Sequence, residues 1–369
     1  MISLALSFAV LIAGYLVYGQ IVEKVFAPDG RKTPAYTKED GVDFMPMPTW
    51  KAFLVQLLNI AGTGPIFGAL MGACFGPVVF LWIIFGAVLI IMAVGILGGI
   101  VAGGYTVPEI TLRNLHPEGL PVWPFMFVTV ACGAISGFHA TQSPMVAKFI
   151  KSEKLGRKVF YGAMLSESII ALAWAAGGVA FYGAAGGLNN ALTELGQSGT
   201  VYDISTGMLG PVGGVLAIVG VIACPITSGD TAFRSARLIL AEITKLDQKN
   251  IRNRLLITLP LLAVGAVLTQ LDFNVLWRYF SWSNQTLAMI SLWVATAYLV
   301  KKHRNKLASL ITALPATFMS AVSMTYILMA DEGFRLGAGI GYPAGIAFAA
   351  ILFFIYVIAV CKSNDEKRL

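Results

Sequence analysis

Apolar stretches of twenty or more residues recur along almost the whole chain, and no other feature limits its possible folds so severely. Burying them all inside a water-soluble body would need far more polar surface than this chain has. Only 12% of its 369 residues are charged and 57% are hydrophobic, with a mean hydropathy of +0.76. A soluble domain carries about twice that charged share. Each stretch can cross a hydrocarbon core of roughly 30 Å as a helix. The expected fold is therefore an all-α polytopic membrane protein, one transmembrane domain over 1–369. The first stretch, Ile2 to Val22, is too long for a signal-peptide core and lacks a basic start and a small-residue cleavage site, so it reads as a retained helix.

The net charge of +7 does not point to nucleic acid, because the basic residues are confined to a few links. Cys74, Cys132, Cys224 and Cys361 are isolated, and the histidines are His116, His139 and His303. Neither a metal site nor a disulfide framework is indicated, no cofactor is called for, and no catalytic set is expected. With no phosphate-cradling P-loop, direct ATP drive within the chain is not expected either.

Ten hydrophobic segments can be read, near 2–26, 50–75, 77–104, 121–147, 158–186, 208–243, 252–271, 275–300, 307–330 and 338–361. Lys and Arg gather in the links 24–51, 148–158, 245–254 and 301–306 and in the C-terminal tail, while 187–206 has none. Since basic links stay cytoplasmic, the C-terminus is expected there, with the protein multi-pass in a bacterial or archaeal plasma membrane. One conflict remains: three segments separate the basic links 24–51 and 148–158, and an odd number of crossings cannot return to one side. The expected solution is that 50–75 is a re-entrant hairpin. Its centre, Asn59-Ile60-Ala61-Gly62-Thr63-Gly64-Pro65, weakens a helix. Two halves of about twelve residues would each rise only about 18 Å. The alternative is an unwound segment that spans.

A second break is expected in 208–243, where Cys224-Pro225 precedes Thr227-Ser228-Gly229-Asp230. In one reading Thr227, Ser228 and Asp230 face a solute or ion beside bare backbone. In the other, Ser228 caps a cytoplasmic interfacial helix and Asp230 pairs with Arg234 four residues on. Glu167 lies about 13 Å beyond a basic link, at a depth where an ionised carboxylate costs roughly 2.5–3.5 kcal/mol. It must be partnered, protonated or wet, which suits a proton relay or a structural hydrogen bond. His139 sits among Ser136, Gly137, Thr141, Gln142, Ser143 and Pro144, a third polar patch. Asn284 and Gln285 lie near mid-membrane and can ligate a solute or join helices. Trp277, Arg278 and Trp282 read as an interfacial belt with a snorkelling charge. Two interrupted segments with polar residues converging at depth point to a secondary-transporter site.

The stretches "NIAGTGPIFG", "FMFVTVACGAISGFHA", "YGAMLSES", "SGDTAFRSARLIL" and "LWRYFSWSNQTLA" resemble the carbon starvation protein CstA family, in the family's order over about residues 50–300. The resemblance implies an inner-membrane secondary transporter of peptides or pyruvate. It also implies a fold of the amino acid–polyamine–organocation type, an inverted repeat with two broken helices, reduced here because the chain is shorter than typical members. Gly62, Gly64, Pro65, Gly137, His139, Glu167, Asp230, Arg234, Arg237, Asn284 and Gln285 stand at motif positions. The expected substrate-binding set is Asn59, Gly62, Thr63, Gly64, Pro65, His139, Gln142, Ser143, Asn284 and Gln285. Glu167, Asp230, Thr227 and Ser228 would serve coupling by H⁺ or Na⁺, with Arg234 and Arg237 in cytoplasmic pairing. A passive channel or structural membrane protein is the alternative. An intramembrane aspartyl protease built on Asp203 and Asp230 is the weakest reading, because Thr227 stands where that chemistry needs glycine.

Overall fold

The computed structural model describes residues 2–39, 41, 44–60, 64–76, 90–109, 111–130, 135–302 and 306–365, with no side-chain description at 3, 59, 90–95, 223, 224, 227 and 363–365. The described chain is helical throughout apart from one isolated β-bridge, Lys32 to Ser152. Helix α1 (Ile2–Ala13) runs on through a π-helical turn, Gly14–Tyr18, into Gly19–Phe26. Then come α2 (Thr49–Ile60), α3 (Gly64–Ala73), α4 (Ile90–Ala102), α5 (Phe138–Phe149), α6 (Gly162–Phe181), α7 (Ala185–Thr244), α8 (Ile251–Leu268), α9 (Phe273–Lys302), α10 (Leu310–Met329) and α11 (Ala338–Asp365).

Among the described residues six helices are long and apolar enough to cross a membrane: Leu4–Phe26, Glu153–Phe181, Ala185–Ile222, Ile251–Leu268, Lys306–Met329 and Ala338–Lys362. The other expected segments are present in a different form. Segments 50–75, 77–104 and 121–147 are described as shorter pieces, and α9 has the length to span but carries Arg278, Asn284, Gln285 and several hydroxyls. Within the Glu153–Phe181 span 78% of the most apolar window is buried, against 6% for Ile251–Leu268. Helix α6 is thus the centre of the bundle, with Trp174, Ile170 and Leu172 fully enclosed, and α8 lies on its rim.

Segment 50–75 spans, contrary to the re-entrant expectation. A Cβ placed on Gly162 would stand 3.4 Å from Phe53, and one on Gly178 would press on Leu70 at 2.6 Å. The segment therefore follows α6 in parallel for sixteen residues, about 24 Å. Its start belongs to the basic face. There Met47 N–H donates to Phe149 O (3.2 Å), Thr33 Oγ1 donates to Ile150 O, and Lys302 Nζ reaches Phe26 O. Its end belongs to the opposite face, where Leu115 N–H donates to Phe75 O (3.2 Å).

The described residues that flank 77–89 and 90–104 lie at one face. Phe75 lies at the opposite face, and so does Tyr105, whose ring is 5.9 Å from Phe181 at the end of α6. Ile96 lies beside Gly177, near the same end. This restores the parity that the basic links demand: 24–51, 148–158 and 298–306 share one face without any exception to the charge rule.

The break expected at Cys224-Pro225 is also overturned. Helix α7 departs from helical backbone at Gly196 (φ 66°) and Gly210 (φ 65°), and remains wound from Pro211 to Thr244. Both departures use positive φ, which glycine alone adopts cheaply, and Pro211 suits the first position of the new helix. The second interrupted segment is 121–147. Its outer part ends at Thr129 with Val130 at φ −91°, ψ 25°, and α5 begins at Phe138.

Candidate solute-binding site

The interruption between Thr129 and Phe138 would leave orphan backbone groups in an apolar setting, and α9 supplies their partners. Gln285, fully buried, donates from Nε2 to Phe127 O at 2.9 Å. Its neighbour Asn284 accepts at Oδ1 from Phe138 N–H (3.1 Å) and from Ser136 Oγ (3.5 Å). One amide satisfies the carbonyl end of the outer half-helix, and the next caps the N-terminus of the inner one. Gly137 makes this fit possible, since a Cβ there would overlap the Asn284 carbonyl oxygen. His139 is fixed by the same turn, with Nδ1 3.0 Å from Ser136 O and a buried Nε2 that has no partner among the described residues.

The two interrupted segments lie side by side and run in opposite directions, inner half against inner half and outer against outer. Gln56 of α2 donates from Nε2 to Ser143 Oγ of α5 at 3.0 Å. In the outer halves, a Cβ on Gly68 would come within 2.8 Å of Thr129 O. Gly64 and Pro65 are buried and open α3. Gly62, Thr63 and the Asn59 side chain fall outside the described residues.

Helix α6 carries Glu167 past this crossing. Between Phe53 beside Gly162 and Leu70 beside Gly178, Glu167 stands level with the end of α2. It is one helical turn beyond Met164, which shares a cavity of about 280 Å³ with Ser136 and His139. Glu167, Ser168 and Gln142 are fully buried, and neither Glu167 oxygen has a hydrogen-bond partner among the described residues. Among the expected residues, Ser143 is tied to α2, and Asn284, Gln285 and His139 meet around the turn that opens α5.

The polar stretch of α7 does not join them. The Asp230 side chain is 71% exposed and pairs with Arg234 at 3.7 Å, four residues along the helix, and Arg237 Nη1 donates to Gln248 Oε1 at 2.7 Å. Ser228 is half-buried, and Thr227 has no described side chain. Ser235 of the same helix reaches α5, donating to Thr141 O at 2.9 Å. Asp203 is bonded by Tyr182 OH at 2.6 Å, so the two aspartates of the protease reading have separate partners.

Sequence reasoning missed a polar vestibule of about 470 Å³ on the opposite face. Met71 and Thr129 form its inner part, one from the outer half of each interrupted segment, and His116, Glu118, Gln197 and Asn274 line its sides. Burial against Phe75 (4.5 Å between rings) lowers the His116 pKa, which keeps Nδ1 free to accept the Glu118 N–H at 3.2 Å. Arg278, read as a snorkelling charge, instead makes an ion pair with Glu332 at 3.3 Å. These residues come from links far apart in sequence. The one available signal was that Arg278 and Glu332 are opposite charges in two links that the alternation of basic links puts on the same face.

The carbon starvation protein CstA family matches residues 1–94, 87–179 and 195–326. A membrane protein of Haemophilus influenzae is 28% identical over 330 residues, covering 47% of this chain and 89% of that protein. The peptide transporter CstA of Escherichia coli is 41% identical over 87 residues, 22% of this chain and 12% of the relative. The pyruvate/proton symporter BtsT of the same organism is 36% identical over 91 residues, 22% of this chain and 13% of the relative. No solved structure matches. With family matches running from residue 1 to 326 apart from one gap, the chain belongs to the carbon starvation protein CstA family.

Proposed function

We propose that the chain is a secondary active transporter that imports a small organic solute, a peptide or a pyruvate-like carboxylate, with H⁺ or Na⁺ as coupling ion. The observation that carries this reading is the antiparallel pairing of segments 50–75 and 121–147, joined by Gln56 and Ser143, beside a fully buried Glu167 whose oxygens have no hydrogen-bond partner among the described residues. A carboxyl group without a cation at that depth favours the protonated form, and moving its proton is a way to couple solute passage to a gradient. Half-helix ends offer amides and carbonyls to a solute. Two neighbouring segments that run in opposite directions, each with glycines near its centre, are what a reduced inverted repeat would present. One relative is a peptide transporter and another a pyruvate/proton symporter, which supports both solute classes. In this reading the basic face and the C-terminus are cytoplasmic.

The test is uptake of labelled pyruvate and labelled alanyl-alanine into proteoliposomes under separately imposed pH and Na⁺ gradients. Wild type should accumulate one of them under one gradient. Glu167→Gln should abolish accumulation while solute exchange persists. Accumulation by the Glu167→Gln protein at the wild-type level would remove the proton role from Glu167.

A further inference from the structure

Arg278 and Glu332 sit in the vestibule wall, and neither has a part in the coupling argument. Glu332 is nearly inaccessible, its side chain 4% exposed, while the Arg278 side chain is 44% exposed. The Glu332 carboxylate is held from two sides. Arg278 Nε lies 3.3 Å from Oε2, and Tyr326 OH donates to Oε1; Tyr279 OH secures the backbone by donating to Glu332 O at 3.0 Å. Glu332 is therefore a fixed buried anchor, and Arg278 is a guanidinium oriented by that anchor through one nitrogen. Both line the cavity that reaches Thr129, the last residue of the outer half-helix. A guanidinium has five N–H donors in a planar fork, and the Nε contact leaves the terminal nitrogens at the accessible end.

We propose that Arg278 is the carboxylate-recognition residue of this vestibule, taking a solute carboxylate on its terminal nitrogens while Glu332 holds the guanidinium through Nε. The ligand class is a small organic carboxylate, the group shared by pyruvate and by a peptide C-terminus. Glu118 and Asp331 also line the cavity. Their charge opposes a bare anion and complements an ammonium group, so a zwitterionic peptide binds more tightly than a simple keto acid. The inference deepens the transport reading, since it takes the vestibule to be the way in for the solute, but its test does not require transport.

The full chain, purified in detergent, is titrated with pyruvate, alanyl-alanine and the corresponding amides, and binding is read by calorimetry. The acids should bind and the amides should not, and alanyl-alanine should bind more tightly than pyruvate. Arg278→Gln should weaken acid binding about tenfold or more, the scale of a lost charge-assisted pair. Because that change leaves Glu332 buried and unpaired, the double variant Arg278→Gln/Glu332→Gln is measured beside it. The double variant should lose binding equally, and Glu332→Gln alone should weaken it by less than Arg278→Gln, because the guanidinium remains but is no longer held in place. Amides that bind as well as acids, wild-type affinity in the double variant, or no binding of either acid to wild type would each overturn the assignment. A wild type that binds acids through Arg278 but accumulates neither in proteoliposomes would remove the transport reading and leave this subsite standing.

Discussion

Segments 121–147 and 208–243 carry similar local signals, and only one of them breaks where those signals fall. The first has Gly133 and Gly137 before His139 and Pro144, and the second has Pro225 and Gly229 before Asp230. In the first, the described helices end at Thr129 and begin at Phe138, with Val130 and residues 135–137 outside helix. In the second, helix continues past Pro225 to Thr244. The difference lies in the neighbours. Asn284 and Gln285 of α9 meet the backbone groups freed by the first interruption. Around Pro225 the helix face is open, with Ile222 and Ile226 largely exposed to the lipid side, so an unwound turn there would have no partner for its amides. Glycine and proline permit a break, but partners on another helix decide whether it exists.

The largest test of this contrast is Gly137→Ala. The new methyl would overlap the backbone oxygen of Asn284 and lie 2.8 Å from Leu287 Cβ, and neither can swing aside as a side-chain tip would. A loss of about 3 kcal/mol or outright failure to fold is expected, measured as thermal melting of the detergent-purified protein. Gly186→Ala, where nothing lies within 4 Å of the new Cβ, should melt like wild type. Next in size are Asn284→Ala and Gln285→Ala. Gln285→Ala leaves Phe127 O without its amide donor, and Asn284→Ala leaves Phe138 N–H with Ser136 Oγ alone; each should cost about 1–2 kcal/mol. If both variants melt like wild type, the amides do not hold the break open and the comparison of the two segments loses its cause.

The bilayer setting was legible from composition, and the grouping of the basic links was legible from Lys and Arg alone. So was the meeting of polar patches, because "ACGAISGFHA" and "WSNQT" each pack too many amides and small residues for a lipid-facing helix. The path of the chain was less legible. Parity showed that one of three segments must return to its own side, but 50–75 looked weaker than 77–104 because it holds Gly62, Gly64 and Pro65. What settles the choice is the contact of Phe53 and Leu70 along α6, a tertiary fact with no local signature. The vestibule was hidden for a related reason. Its charged residues stand in separate links, and reading Arg278 one residue at a time gave an interfacial anchor rather than half of an ion pair.

A smaller effect is expected from Pro225→Ala. If α7 is wound through this position, removing the proline restores a backbone donor. It should raise stability by roughly 1 kcal/mol, below the full interior penalty of about 3 kcal/mol because membrane helices partly re-satisfy a freed carbonyl. Uptake should be unchanged. A loss of uptake together with unchanged melting would mean that the proline serves a moving hinge, and the contrast between the segments would then be one of state rather than of architecture.

Asp230→Asn should have the smallest effect. Its partner Arg234 is nearly 4 Å away, both side chains are substantially exposed, and pairs of this spacing on a helix contribute only about 0.3–0.5 kcal/mol. The substitution should leave melting and solute accumulation close to wild type, whereas Glu167→Gln abolishes accumulation. The pair of variants separates two carboxylates that look alike in sequence: each stands one or two residues after a serine in a glycine-containing stretch of an apolar segment. One is buried beside the interrupted segments without a partner, and the other pairs with its own helix on an open face. If Asp230→Asn also abolished accumulation, α7 would have to bring that face to the solute during the cycle, and the site would extend beyond the pair of interrupted segments.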